Sequence, residues 1–174
     1  MRIRRNGFTL VELMIVVAII GVLAALAVYG VARYLKHAKT AEATRSLGAI
    51  ENGARQQYQR ETLWDSTAQS YVHTFCPSDG PTPPAAPKAS KAPFTPGQWD
   101  TAGWACLKFM LTGPTFYSYE YSSNTQTGTD AVYTTSAYGD LDGNGTNSTF
   151  RLSGRGGMQG DAVRISMMTI NDDE

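Results

Sequence analysis

Residues 7–34 read GFTLVELMIVVAIIGVLAALAVYGVARY, and within them residues 13–32 carry no charge. A run of about 20 apolar residues is the length that crosses a hydrocarbon core of roughly 30 Å as a helix. Arg2, Arg4 and Arg5 stand just before it, and the acidic residues lie mostly after it. That bias predicts an N-terminus on the cytoplasmic side and the rest of the chain outside. A cleaved secretory signal fits poorly, because Glu12 interrupts the start of the stretch and no Ala-x-Ala-like site ends it. The helix is therefore expected to be kept.

The helical pattern continues as RYLKHAKTAEATRSLGAIENGARQQYQRE, with Leu35, Ala38, Leu47, Ile50, Ala54 and Tyr58 at spacings of three, four or their sums. Such spacing makes one apolar stripe on an otherwise wet helix. No proline occurs before residue 61, so residues 8–60 are expected to form one helix roughly 80 Å long at 1.5 Å per residue. Gly21, Gly30, Gly48 and Gly53 are its expected weak points, since glycine costs about 1 kcal/mol relative to alanine inside a helix.

The 174 residues are 42% hydrophobic with no net charge. That is material for one domain plus an appendage, with nothing that reads as a dedicated nucleic-acid surface. Cys76 and Cys106, both on the predicted outer side, are expected to pair, closing a loop of about 30 residues that contributes roughly 3.5 kcal/mol on the chain-entropy model. Two buried free thiols are the alternative. Residues 63–98 are rich in Ser, Thr and Pro and read as a surface loop.

The remainder alternates β-prone runs with turn residues: TFYSYEYSS, AVYTTSAYG, NSTFRLSG and DAVRISMMTIN. Four antiparallel strands are predicted, with Tyr117, Tyr119 and Tyr121 on one face of the first and Phe116, Ser118 and Glu120 on the other. The expected class is α+β, a long helix packed on a small antiparallel sheet.

Asp140, Asp142 and Asn144, in the run DLDGNG, match the opening of a calcium loop with oxygen ligands at alternate positions. Arg151 stands where such a loop ends in a glutamate, and the same residues suit a hairpin turn. Calcium, with Asp161 as an extra ligand, and a plain turn both stand open; no other cofactor is expected. Residues 154–160 (GRGGMQG) read as a flexible loop. His73-x-x-Cys76 is half a metal site without its other half. No G-x-S-x-G, H-E-x-x-H or S-x-x-K motif occurs, so catalysis has no foothold in the sequence.

Gly7-Phe8-Thr9-Leu10-Val11-Glu12 and the apolar run after it resemble the N-terminus of type IV prepilins and of the pseudopilins of type II secretion, closely over residues 7–34. The resemblance implies that a membrane-embedded prepilin peptidase cuts between Gly7 and Phe8 and methylates the new amine of Phe8. It also implies that Glu12 meets the N-terminal amine of an adjacent copy as the chains assemble. A carboxylate inside a membrane span costs on the order of 3 kcal/mol and tends to mark function. Thr9 and Glu12 also fit a capping box, a role compatible with the first. Where many members of the family carry a proline, this chain has Tyr29-Gly30. Ala18, Gly21, Ala24, Ala25 and Ala27 permit close helix packing.

On this reading the chain divides into a leader (1–7, removed), a membrane and filament-core helix (8–34), an amphipathic helix half (35–62) and a globular head (63–174). Its partners are membrane lipid before assembly, the prepilin peptidase, the assembly machinery of the inner membrane and other copies of itself. It then ends in an extracellular pilus serving attachment, twitching motility or DNA uptake, with DNA bound only as a property of the polymer. The competing readings are a pseudopilin and a monomeric membrane-anchored domain.

Overall fold

A computed structural model describes residues 7–60, 63–67, 69–124, 126–158 and 160–171. Arg2, Arg4 and Arg5 of the expected leader lie outside them, as do positions 61 and 62 of the expected helix half. The chain divides into two compact units, Met1–Ala38 and Lys39–Glu174.

One helix, α1 (Leu10–Tyr58), runs through 49 residues and passes all four of its glycines unbroken. Its apolar stretch outweighs their cost. In the first unit every large apolar side chain from Phe8 to Leu35 is exposed on the isolated chain. In the second unit Ala43, Leu47, Ile50, Ala54 and Tyr58 are fully buried, so the core-facing stripe begins at Ala43. Leu35 and Ala38, expected to share that stripe, are exposed.

Against this stripe lies a five-stranded antiparallel sheet. It comprises β3 (Asp79–Thr82), β4 (Ser118–Ser123), β5 (Val132–Gly139), β6 (Ser148–Gly156) and β7 (Ala162–Ile170), in that order across the sheet. Two short strands, β1 (Leu63–Asp65) and β2 (Ser70–Val72), form a separate hairpin. A short helix, α2 (Ala102–Leu107), follows β3. The four predicted strands are β4 to β7. The Pro-rich stretch is not only loop, because β3 adds a fifth strand there through Asp79 opposite Tyr121 and Thr82 opposite Tyr119. Pro81 is tolerated because β3 is an edge.

The alternation on β4 has the expected consequence: Tyr117, Tyr119 and Tyr121 are buried, with Tyr133, Ala137, Phe150 and Leu152 from the next two strands. Burial pushes the Tyr117 hydroxyl up to about 12, and drives Tyr119, Tyr121 and Tyr133 higher still. A second aromatic cluster joins Trp99, Trp104 and Phe109 to Tyr119, with Trp99 and Trp104 ring centres 5.1 Å apart.

The glycine-rich run 154–160 is not a loop throughout, since Gly154 and Gly156 belong to β6. A Cβ on Gly154 would lie 2.5 Å from the Tyr133 ring, and one on Gly156 2.1 Å from the Tyr58 hydroxyl. The missing side chains are what let these tyrosines pack.

Candidate functional site: the N-terminal helix start and the head it carries

Gly7, Phe8 and Thr9 precede the helix in non-helical backbone, and Phe8 is 85% exposed. A Cβ on Gly7 would meet no atom within 4 Å. The Gly7–Phe8 bond thus lies in open chain, the form in which a peptidase can take a substrate backbone into its cleft.

Two residues on, the chain starts its helix with a capping box. The Thr9 amide and hydroxyl both donate to Glu12 Oε2 at 2.8 Å, and the Glu12 amide donates to Thr9 Oγ1 at 3.3 Å. This reciprocal pair satisfies two of the four amides a helix leaves unpaired at its start. Both Thr9 bonds end on Oε2 and leave Oε1 out of the box. Beyond it, α1 is long and apolar enough to cross a membrane, and its most apolar stretch is not buried against the rest of the chain.

In the head, Cys76 and Cys106 are joined in a disulfide, as their expected pairing requires. Cys76 is therefore no metal ligand, and His73 instead places Nδ1 2.7 Å from the Tyr58 carbonyl oxygen at the end of α1. Beside the disulfide, Asp79 organises α2 from 24 residues away. Its Oδ2 accepts from the Thr101 hydroxyl and from the amides of Gly103 (2.8 Å) and Trp104 (3.1 Å), and its Oδ1 accepts from the Gly80 amide. Burial works to raise this carboxyl, and the hydrogen bonds from Thr101, Gly80, Trp104 and Gly103 outweigh it, holding Asp79 below its ordinary value.

Glu42 ties the segment around β4 to α1. Its Oε1 accepts from the Thr115 hydroxyl at 2.7 Å and the Phe116 amide at 2.8 Å, while Oε2 lies 3.4 Å from Lys91 Nζ. Lys39 and Lys91 both sit over the Phe116 ring, at 4.9 and 4.8 Å. Neither Asp79 nor Glu42 carries a sequence signal for these roles, because the partners come from distant segments.

At the candidate calcium loop, Asp140 is fully buried. Its Oδ1 accepts from Gly143 N at 2.7 Å and its Oδ2 from Gly145 N at 2.9 Å. Asp142 accepts from Asn144, whose own side-chain oxygen accepts from Thr146 N. Gly143 and Gly145 adopt φ of +81° and +93°, which glycine takes without steric cost. These bonds account for the shape of the turn. Among the described residues no three His, Cys, Asp or Glu side chains gather as a metal site.

The prokaryotic N-terminal methylation motif matches residues 2–28 of this chain. The type IV major pilin protein PilA of Myxococcus xanthus (strain DK1622) is 36% identical over 77 residues, covering 44% of this chain and 34% of that protein. The fimbrial protein EcpC of Eikenella corrodens is 38% identical over 60 residues, 34% of this chain and 39% of the relative. The chain thus spans little more than a third of the length of each relative. No solved structure matches it. At its N-terminus the chain is similar to type IV prepilins, and its long apolar helix followed by a small antiparallel sheet is a type IV pilin-like architecture. The segment around Gly7, Phe8 and Glu12 lies within the matched motif.

Proposed function

We propose that this chain is a structural subunit of a type IV pilus, not an enzyme. A prepilin peptidase cuts it between Gly7 and Phe8, its apolar helix holds it in the inner membrane, and the processed chains then polymerise through that helix with the pilus assembly machinery. The observation that carries this reading is the apolar part of α1, exposed around its whole circumference from Leu10 to Leu35. Keeping each large apolar side chain in water forfeits about 1.5–3 kcal/mol, so this surface belongs in lipid or against like helices. In a bundle of such helices the Glu12 carboxylate needs a cationic partner, and the Phe8 amine freed by cleavage of a neighbouring copy supplies one. The printed names of the two relatives, a major pilin and a fimbrial protein, support the same reading.

The test is intact mass and N-terminal sequencing of protein sheared from cell surfaces. A mature chain beginning with methylated Phe8 in the sheared fraction is expected. Processed chain confined to the inner membrane would instead make the protein a pseudopilin, and an uncut Met1 terminus in cells with an active prepilin peptidase would sink both.

A further inference from the structure

The turn from β5 into β6 reads Asp142-Gly143-Asn144-Gly145-Thr146-Asn147, and β6 opens with Ser148-Thr149. The triplet Asn-x-Ser/Thr, with a middle residue other than proline, occurs here twice, at Asn144-Gly145-Thr146 and at Asn147-Ser148-Thr149, and nowhere else in the chain. That triplet is the acceptor for sugar transfer to an asparagine amide, a modification of surface segments in exported chains. Such triplets also arise by chance, so the surroundings of each decide whether it can be used.

The two triplets are held differently. In the second, Ser148 is fully buried with its hydroxyl donating to the Gly139 carbonyl at 2.9 Å, and Thr149 is paired with Tyr138 on one side and Ile170 on the other. A transferase could take Asn147 together with its threonine only by unzipping the start of β6. The first triplet lies outside the strands, and residues 142–147 are all exposed. A Cβ on Gly145 would meet nothing within 4 Å, so the middle of this triplet stands open to an enzyme cleft.

The shape of the turn does not depend on the nitrogen that would react. Buried Asp140 accepts from the Gly143 and Gly145 amides and holds the backbone from beneath. Asn144 Oδ1 accepts from the Thr146 amide at 2.6 Å, and Asn144 Nδ2 donates to Asp142 Oδ2 at 3.1 Å. A carboxamide nitrogen carries two N–H groups. A sugar replaces one of them and leaves the other for Asp142, and it does not touch Oδ1, so the local Asn144–Thr146 turn survives the modification.

We propose that Asn144 is an N-glycosylation site, modified on the folded head by an oligosaccharyltransferase that uses a lipid-pyrophosphate-linked sugar donor. The bond formed joins Asn144 Nδ2 to C1 of the first sugar, and the bond broken is that between C1 and the pyrophosphate oxygen. The lipid pyrophosphate leaves with the electron pair, and one Nδ2 proton passes to a base of the transferase. That the head meets this enzyme outside the cytoplasm rests on the subunit reading above.

The test is mass spectrometry of the full chain isolated from the cells that naturally make it, with electron-transfer fragmentation of the tryptic peptide spanning residues 109–151, which holds both triplets. An added sugar mass on Asn144 is expected in the wild type and in the Thr146→Ser and Asn147→Gln variants. Complete loss is expected in Asn144→Gln and in Thr146→Val, which keeps the shape of the threonine and its backbone amide. A wild-type peptide at its bare sequence mass, a sugar on Asn147 or on a hydroxyl, or an undiminished sugar in Thr146→Val would each overturn the site. The N-terminus of the same sample separates the two readings. A methylated Phe8 terminus with an unmodified Asn144 removes the site and leaves the subunit reading intact, whereas a sugar on Asn144 in a chain with an uncut Met1 terminus does the reverse.

Discussion

Arg164 on the edge strand β7 donates from Nε to Oε1 of Glu51 on α1 at 2.9 Å and pairs through a second nitrogen with Oε2, a two-point contact across 113 residues of chain. The Glu51 side chain is 2% exposed and that of Arg164 49%. The glutamate has therefore given up its water and the arginine has not. The contact raises the Arg164 guanidinium above its ordinary value, chiefly through the hydrogen bond it donates to Glu51 and then through the charge of that carboxylate.

Loss of Arg164 is expected to harm more than loss of Glu51 with it, because Arg164→Met alone strands a buried carboxylate. A hydrogen-bonded charged group of this kind is worth about 2 kcal/mol, or roughly 6 °C in melting temperature for a domain of this size. Melting the full chain in detergent checks it. The double variant Glu51→Leu with Arg164→Met is expected to recover most of that loss, and an equal loss in both variants would mean that the buried charge is not the cause.

Gly48 and Gly53 look alike in the sequence and should respond oppositely to alanine. A Cβ on Gly48 would meet nothing within 4 Å, whereas one on Gly53 would lie 2.1 Å from the Leu107 carbonyl oxygen at the end of α2. Gly48→Ala should therefore stabilise the chain by up to about 1 kcal/mol, the helix-propensity difference. Gly53→Ala should destabilise it despite the same propensity gain, because α2 must move away. Chemical denaturation of the two variants side by side decides this, and matching shifts of one sign would contradict it.

Those two glycines also mark what the sequence could and could not convey. The helix was legible because twenty uncharged residues and a stripe at spacings of three and four are local patterns, and so was the Tyr117–Tyr119–Tyr121 face, by simple alternation. The segment around Gly7, Phe8 and Glu12 was legible for the same reason, being contiguous. Strand β3 was hidden because Pro81 suppresses a strand signal that only an edge position permits. Helix α2 has six residues, too few for periodicity, and is held by Asp79 and the Cys106 bond. The Glu51–Arg164 pair has no local trace at all. Gly154 and Gly156 misled, since glycine placed for close tyrosine packing reads like glycine placed for a flexible loop.

Acid should loosen the region around α2 through Asp79. Its carboxyl lies below the ordinary value in the folded chain, so its contribution is complete above the unfolded value near 4 and is lost as the pH falls through the lower folded value. Asp79→Ala removes the side-chain acceptor at the start of α2 and should cost about 1.5 kcal/mol at neutral pH, the range seen for helix caps. The gap between wild type and variant should narrow below about pH 4. Urea titrations at neutral and acid pH measure it, and a gap independent of pH would remove the carboxylate from the explanation.

The Asp140 turn yields a test of the ion. Both carboxylate oxygens already accept backbone amides, from Gly143 and Gly145, and a calcium ion would share those oxygens with the amides. Chelation is expected to leave the melting temperature unchanged. A rise with added calcium that disappears in Asp142→Ala would establish a site on Asp140, Asp142 and Asn144, since ligand binding to the folded state alone stabilises it by mass action.

Glu12 combines two roles that one substitution separates. Its Oε2 closes the capping box with Thr9, and glutamine serves that position as well as glutamate does. Glutamine cannot neutralise an amine. If the charge is what assembly uses, Glu12→Gln should keep the helix start and membrane insertion, as read by circular dichroism in detergent, and still fail to give filaments. The physical reason is that an ammonium left without its carboxylate in a dry helix bundle faces a desolvation cost of several kcal/mol. Glu12→Ala would lose both functions and could not tell them apart. Filament yields from Glu12→Gln equal to wild type, measured in sheared material from cells expressing only that variant, would confine Glu12 to capping and remove charge pairing from the assembly mechanism.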